Sequence, residues 1–456
     1  MAEQNPTDSS LDNTSTTSGA AKNYRSAFIF LTSLFFLWGF ITVLVDSLIP
    51  RIKDLFTLTY FQSGLVQFAF FMAFFFFSIP AGAILTRIGY KKGIILGLLT
   101  MALGGFLFYP AADYRVFEIF LLAYFVLAAG ITILQVAANP YVTVLGAPEG
   151  ASSRLNLAQG FNSLGTTIAP ILGAIFLLSD TIKTEEELAL LSEADKTSYY
   201  ISEATAVQFP FLILVGLIIL LALIFVFVKL PNIIKSSSNS GYGEALKNKM
   251  LVMGAIGIFV YVGAEVAIGS YLVNYFISMN MHLAIVESSV MTSIASTIFR
   301  IDDLASLDKK AIVGLFVAFY WGGAMVGRFI GAYLTKVYNP GKVLGAFAIS
   351  AMLMLGLSML TSGMVAMWSI LGVGLFNSIM FPTIFSLSIR DVGDLKPQAS
   401  GILCTMIVGG AIIPPLYGLL TDVSGFKVAF VLVLACYAYI MYFGMLGAKT
   451  ETETQA

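Results

Sequence analysis

Gln135-Val-Ala-Ala-Asn139-Pro140-Tyr141-Val-Thr143-Val-Leu-Gly146 closes a long apolar run that begins near Phe117. It sets two amides four residues apart, on one face of a helix. A proline, which has no backbone donor, follows them directly. Amides and a helix breaker are costly in lipid, so they are expected to face a cavity or a neighbouring helix. Arg154-Leu-Asn156-Leu-Ala-Gln159-Gly-Phe-Asn162-Ser163 repeats the idea downstream, with Asn156, Gln159 and Ser163 at helical spacing and Asn162 at the edge of that face. Two amide-bearing helices in succession predict the lining of a polar pocket inside a membrane.

The composition agrees. Hydrophobic residues make up 58% of the chain and charged residues 11%, against about 25% charged in a soluble protein. The mean hydropathy is +0.88. A net charge of −1 argues against a nucleic-acid partner. Cys404 and Cys436 sit in apolar runs without metal-ligand spacing and are expected to be small core residues.

A spanning helix needs about 20 mostly apolar residues. The predicted fold is all-α and polytopic, with twelve spans at 26–49, 60–85, 93–112, 116–144, 154–178, 208–230, 250–276, 311–335, 342–362, 365–389, 399–421 and 427–447. The polar start, 1–25, reads as a disordered tail, and 448–456 as a second tail. Pro231-Asn-Ile-Ile-Lys235-Ser-Ser-Ser-Asn-Ser240-Gly has linker composition. A linker at 231–249 thus divides an N-terminal six-helix bundle, 26–230, from a C-terminal one, 250–447. With the N-terminus inside, 16 of the 25 Lys and Arg residues fall on the inner side, Arg328 counted among them. That bias places both termini in the cytoplasm. The halves also repeat each other. Gly82-Ala-Ile-Leu-Thr86-Arg87 recurs as Gly331-Ala-Tyr-Leu-Thr335-Lys336, and Gln135 with Pro140 recurs as Asn377 with Pro382. Parallel six-helix repeats imply a site between the halves near mid-membrane.

Gly82-Ala-Ile-Leu-Thr86-Arg87-Ile-Gly89-Tyr-Lys91-Lys92 resembles the loop between helices two and three of the major facilitator superfamily, with Thr86 where that family usually carries Asp. Gly82, Arg87, Gly89, Lys91 and Lys92 are the gating-loop residues this implies. Over about 26–447 the chain resembles the fucose permease branch, and more closely its glucose/galactose transporter group. The residues that carry this are Phe36-Leu-Trp38-Gly39-Phe40 with Asp46, Leu134-Gln135-Val-Ala-Ala-Asn139-Pro140-Tyr141, Ser153-Arg154-Leu-Asn156-Leu, Tyr261-Val-Gly263-Ala-Glu265-Val, Gly374-Leu-Phe-Asn377-Ser-Ile-Met-Phe-Pro382, and Pro414-Pro415-Leu-Tyr-Gly418. Fucose permeases carry a proton-coupling carboxylate at the position of Gln135. The amide here points away from that mechanism and from fucose.

Asp46 and Glu265 are the carboxylates that fall inside spans, and burying one costs about 2.5–3.5 kcal/mol on insertion scales. Coupling to a cation is the role expected of both, with Asp46 a candidate sodium ligand. The other readings are a helix-end cap or interface pair for Asp46, and a structural ion pair of Glu265 with Arg328. Gln135, Asn139, Gln159, Asn162 and Asn377 offer uncharged donors and acceptors to a ring of hydroxyls. Trp38 and Tyr261 offer apolar faces, and Glu265 completes the expected substrate-binding set. Any one amide could instead serve as an interhelical hydrogen bond. His282 is expected on the surface of an outer loop.

The predicted function is secondary active, cation-coupled symport of a hexose such as glucose or galactose by alternating access, with sodium slightly favoured over a proton. The alternatives are proton-coupled uptake of N-acetylglucosamine, fructose, mannose or fucose, and a non-transporting membrane sugar sensor. Enzyme chemistry is not signalled: Gly341-Lys342 is followed by Val343, not by Ser or Thr, so there is no phosphate loop. No cofactor beyond the coupling ion is expected. The expected partners are the hexose and membrane lipid. The resemblance implies a monomer in the bacterial inner membrane.

Overall fold

The computed structural model describes residues 13–46, 60–114, 116–177, 191–231, 241–301 and 303–455, and every regular element among them is helical. The first six long helices are α1 (Asn13–Asp46), α2 (60–88), α3 (90–114), α4 (Phe117–Val144), α5 (Ala151–Leu177) and α6 (Glu193–Phe227). The second six are α7 (Lys249–Ser278), α8 (Lys309–Val337), α9 (Pro340–Leu360), α10 (Gly363–Asn377 continued by Met380–Ser388), α11 (Lys396–Thr405 continued by Gly409–Ser424) and α12 (Phe426–Gln455).

Helix ends follow from local chemistry. Between α2 and α3 the chain reverses at Gly89, whose φ of 80° suits only a residue without Cβ. At the equivalent point of the second half, Asn339 accepts a hydrogen bond from the Lys342 backbone N–H at 3.0 Å and Pro340 opens α9. Asp308 likewise caps α8 through the Lys310 N–H at 2.9 Å.

Ten helices among the described residues are long and apolar enough to cross a membrane, or eleven if Met281–Glu287 and Ser289–Phe299, bent by 80°, are one span. That count takes 65–114 as one helix and does not include α5. Dividing the first at Gly89 and adding α5 brings the helices into register with the expected spans.

Three expectations change. The stretch 13–25, expected to be a disordered tail, continues α1. It holds no proline, and extending an existing helix costs little. Similarly, α12 runs through the expected tail as far as Gln455. His282 is not on the surface: it is half-buried on the short helix Met281–Glu287, with Nδ1 enclosed and unpaired. The first twelve residues and linker residues 232–240 lie outside the described chain, while Tyr242–Ala245 forms a helical turn inside the linker. Both cysteines are free and buried, as expected.

Within the first half, α1 packs on α5, and the α2–α3 pair packs on α4 and α6. Within the second half, α9 packs on α12 and α10, α8 on α10, and α7 on α11. The halves meet through α5 against α8 and α10, and through α11 against α4 and the α2–α3 pair. These pairings set the amides of α5 opposite the polar side chains of α8 and α10, and α4 against α11.

Candidate functional site

Gln135 is half-buried on α4, one turn before Asn139, which is fully enclosed. Asn139 Oδ1 accepts from Gln159 Nε2 at 3.3 Å, joining α4 to α5, while its own Nδ2 has no partner. Asn162 donates to the Phe35 carbonyl at 2.9 Å and so ties α5 to α1. Trp38 is 6% exposed and packs against Phe35 with ring centres 5.3 Å apart. Asp46 is the last residue of α1, and its side chain lies outside the described residues.

The second half holds a complementary cluster. Asn377 Nδ2 donates to the Tyr320 hydroxyl at 2.7 Å, and Asn377 Oδ1 is unpaired. Tyr261 on α7 and Tyr437 on α12 are enclosed, and neither hydroxyl makes a well-formed hydrogen bond. The half-buried Glu265 carboxylate lies beside Tyr261 and within electrostatic reach of Tyr320 and Tyr437. Among the described residues no group of three or more His, Cys, Asp and Glu converges as a metal site.

Arg328 joins the two clusters. It sits inside the bundle on α8, not with the inner-end cations. Its guanidinium donates to the Gln159 carbonyl at 3.4 Å and to the Ser163 hydroxyl on α5, and Nε donates to the Ser378 carbonyl on α10 at 3.2 Å. Glu265 feels this charge. Yet no ion pair joins Glu265 to Arg328, although other described residues do form such pairs, as Lys247 does with Glu244. The carbonyls of α5 and α10 compete successfully for the guanidinium.

Pro140 does not break α4. It removes the bond that the Val136 carbonyl would accept four residues back, and Ser400 of α11 supplies a replacement at 2.9 Å. Further bonds cross between the halves: Ser152 with Ser386 at 2.6 Å, Ser153 to the Ala332 carbonyl at 2.6 Å, and Asn156 to Thr383 at 3.1 Å. These involve the start of α5 and the later parts of α8 and α10, the end of the bundle that carries the Gly82–Lys92 loop.

In that loop Gly82 is a point of close approach. A Cβ there would lie 2.6 Å from the Tyr242 hydroxyl and 2.7 Å from the Pro397 carbonyl oxygen. Tyr242 in turn donates to the Ile79 carbonyl. Lys91 donates to the Val226 carbonyl at 2.8 Å and ties the loop to the end of α6, while Arg87 and Lys92 are exposed.

Sequence reasoning missed Tyr320 and Tyr437. Tyr320, Ala324 and Arg328 share a helical stripe, a signal that was available. Tyr437 carries none, because tyrosine is common in apolar spans.

Comparison with known proteins follows this geometry. Residues 26–407 match the family model described as Major Facilitator Superfamily. The chain is 48% identical to the glucose/galactose transporter of Brucella abortus biovar 1 (strain 9-941) over 99% of this chain and 100% of that one. It is 35% identical to the L-fucose-proton symporter of Escherichia coli (strain K12) over 95% and 96%. Among solved structures, the transporter FucP in the outward conformation superposes with a TM-score of 0.83 at 33% identity, covering 93% of this chain and 99% of that one. The fold and these relatives are those of multi-pass membrane transporters, not of enzymes. The chain belongs to the Major Facilitator Superfamily, in the group that holds these glucose/galactose transporters and L-fucose-proton symporters.

Proposed function

We propose that this chain is a cation-coupled symporter of a neutral hexose, glucose or galactose, working by alternating access in a bacterial inner membrane as a monomer with both termini cytoplasmic. The observation that carries the reading is a set of enclosed polar atoms on both sides of the half–half boundary whose hydrogen bonding is incomplete: Asn139 Nδ2 on one, and Asn377 Oδ1 beside Tyr437 and the Tyr261 hydroxyl beside Glu265 on the other. Leaving such a group unsatisfied costs about 1–3 kcal/mol. A ring of hydroxyls, each both donor and acceptor, would satisfy donors and acceptors together. Gln135, Gln159 and Asn162 belong to the same lining. Trp38 and Tyr261 supply apolar surface to the sugar ring.

Asp46 and Glu265 are the coupling carboxylates in this reading. Gln135, an amide, cannot carry a proton, which favours sodium. Proton coupling is the second reading, favoured by the similarity to an L-fucose-proton symporter. The bonds at the loop-bearing end form a seal that must open once per cycle.

The test is equilibrium binding of labelled glucose and galactose to the purified chain, with fucose and N-acetylglucosamine as competitors. Gln135→Ala and Asn377→Ala should each weaken hexose binding about tenfold, the value of one well-placed hydrogen bond. Unchanged binding in both variants would remove the sugar from this position.

A further inference from the structure

Apart from the central site, a cleft of about 650 Å³ lies between α9 and α12. Its floor is glycine: a Cβ on Gly341 would lie 2.5 Å from the Ala448 nitrogen and 2.6 Å from the Gly444 carbonyl oxygen, so the two helices meet backbone to backbone. Side chains flanking this contact therefore stand proud of it. Ile349, Tyr442 and Met445 are 38%, 52% and 51% exposed. The wall is apolar except at one end, where Lys342 and Lys449 line it. Both lysines are exposed, and neither takes part in an ion pair among the described residues. Among the described residues no acidic side chain lines the cleft. The first turn of α9 adds the positive end of its helix dipole beside Lys342.

An apolar cleft open to the side of a membrane bundle, with two exposed cations where it meets the interface, is complementary to one class of molecule. We propose that it binds an anionic glycerophospholipid, with the phosphate between Lys342 and Lys449 and an acyl chain along Ile349, Tyr442 and Met445. From Lys342 to Ile349 the helix rises about 10 Å, room for the upper part of a chain. A free phosphate would use the lysines but leave the apolar wall uncovered. The hydrocarbon is what makes this a lipid site.

Tyr442→Trp places a fluorophore in the cleft, and the three native tryptophans provide a background to subtract. The full-length variant is reconstituted with phosphatidylglycerol or phosphatidylcholine carrying the same brominated acyl chains. Phosphatidylglycerol should quench the added tryptophan at a lower mole fraction, by about fivefold for each lysine engaged. Adding Lys342→Gln and Lys449→Gln should make the two lipids equivalent while leaving the fold intact, as the unchanged native fluorescence would show. Equal quenching by the two lipids in the parent, or an undiminished preference in the double lysine variant, would overturn the proposal. So would release of the lipid by millimolar inorganic phosphate, which would mark a free-anion site.

Discussion

Arg328 Nε donates to the carbonyl of Ser378 at 3.2 Å, the carbonyl that Pro382 leaves without a helical partner. The first half does the same with other residues. Pro140 frees the carbonyl of Val136, and Ser400 donates to it at 2.9 Å. Val136 and Ser378 are equivalent positions of the repeat, as are the two prolines. In the first half the donor crosses from the other half. In the second half the donor's remaining bonds cross instead, to Gln159 and Ser163. Each proline thus turns a backbone carbonyl into an acceptor that binds the two halves together.

This relationship predicts a double-mutant cycle. Arg328→Ala should lower stability by about 1–3 kcal/mol, because it orphans the Ser378 carbonyl among other groups. In a Pro382→Ala background the helix can satisfy that carbonyl itself, so the same change should cost measurably less. Thermal unfolding of the four proteins in one detergent gives the coupling energy, and purely additive losses would refute the link. Ser400→Ala with Pro140→Ala should couple in the same sense.

Neutralising Glu265 should separate binding from coupling. Glu265→Gln keeps shape and hydrogen-bonding capacity beside Tyr261 but removes the charge. Counterflow of labelled sugar should persist within a few fold, while gradient-driven accumulation is lost. Asp46→Asn should behave alike. A variant that still concentrates sugar as the parent does would exonerate that carboxylate.

Gln135→Glu should change the dependence on pH. It introduces a second titratable carboxylate on the α4 face, and burial raises the pKa of a carboxyl group. Uptake by the variant should acquire a proton-gradient dependence that the parent lacks. Identical profiles of uptake against external pH from 5 to 8 would contradict the role given to this position.

Tyr242 tests the seal from outside the membrane. Burial pushes its phenol up to about 12, above the ordinary value near 10. The protonated phenol is the form that donates to Ile79. Its contribution is therefore complete below about pH 10 and is lost as pH rises toward 12. Tyr242→Phe should cost about 1 kcal/mol at pH 7, and the gap between the two melting temperatures should close only above pH 10. A gap already closed at pH 8 would place the stabilisation elsewhere.

Much of the fold was legible because lipid imposes it. Apolar runs of the right length sufficed to lay out the helices, and the equal spacing of Gln135–Pro140 and Asn377–Pro382 marked two equivalent positions. The amides were legible because they are conspicuous in apolar helices. What the sequence did not reveal is how they pair. Asn162 and Asn139 each place one bond on a neighbouring helix, Phe35 in one case and Gln159 in the other. Arg328 reads from its position alone as an inner-end cation, yet it lies between the halves, because carbonyls freed or exposed on two other helices hold it there. Such a position depends on three helices at once, and no single stretch encodes it.

Uptake of labelled glucose and galactose into proteoliposomes, with sodium and proton gradients imposed one at a time, tests the central claim most directly. The account predicts accumulation of one or both hexoses above equilibrium under a cation gradient, with sodium effective when the pH is equal on both sides. Equilibration without accumulation under either gradient, or uptake of neither hexose, would contradict it.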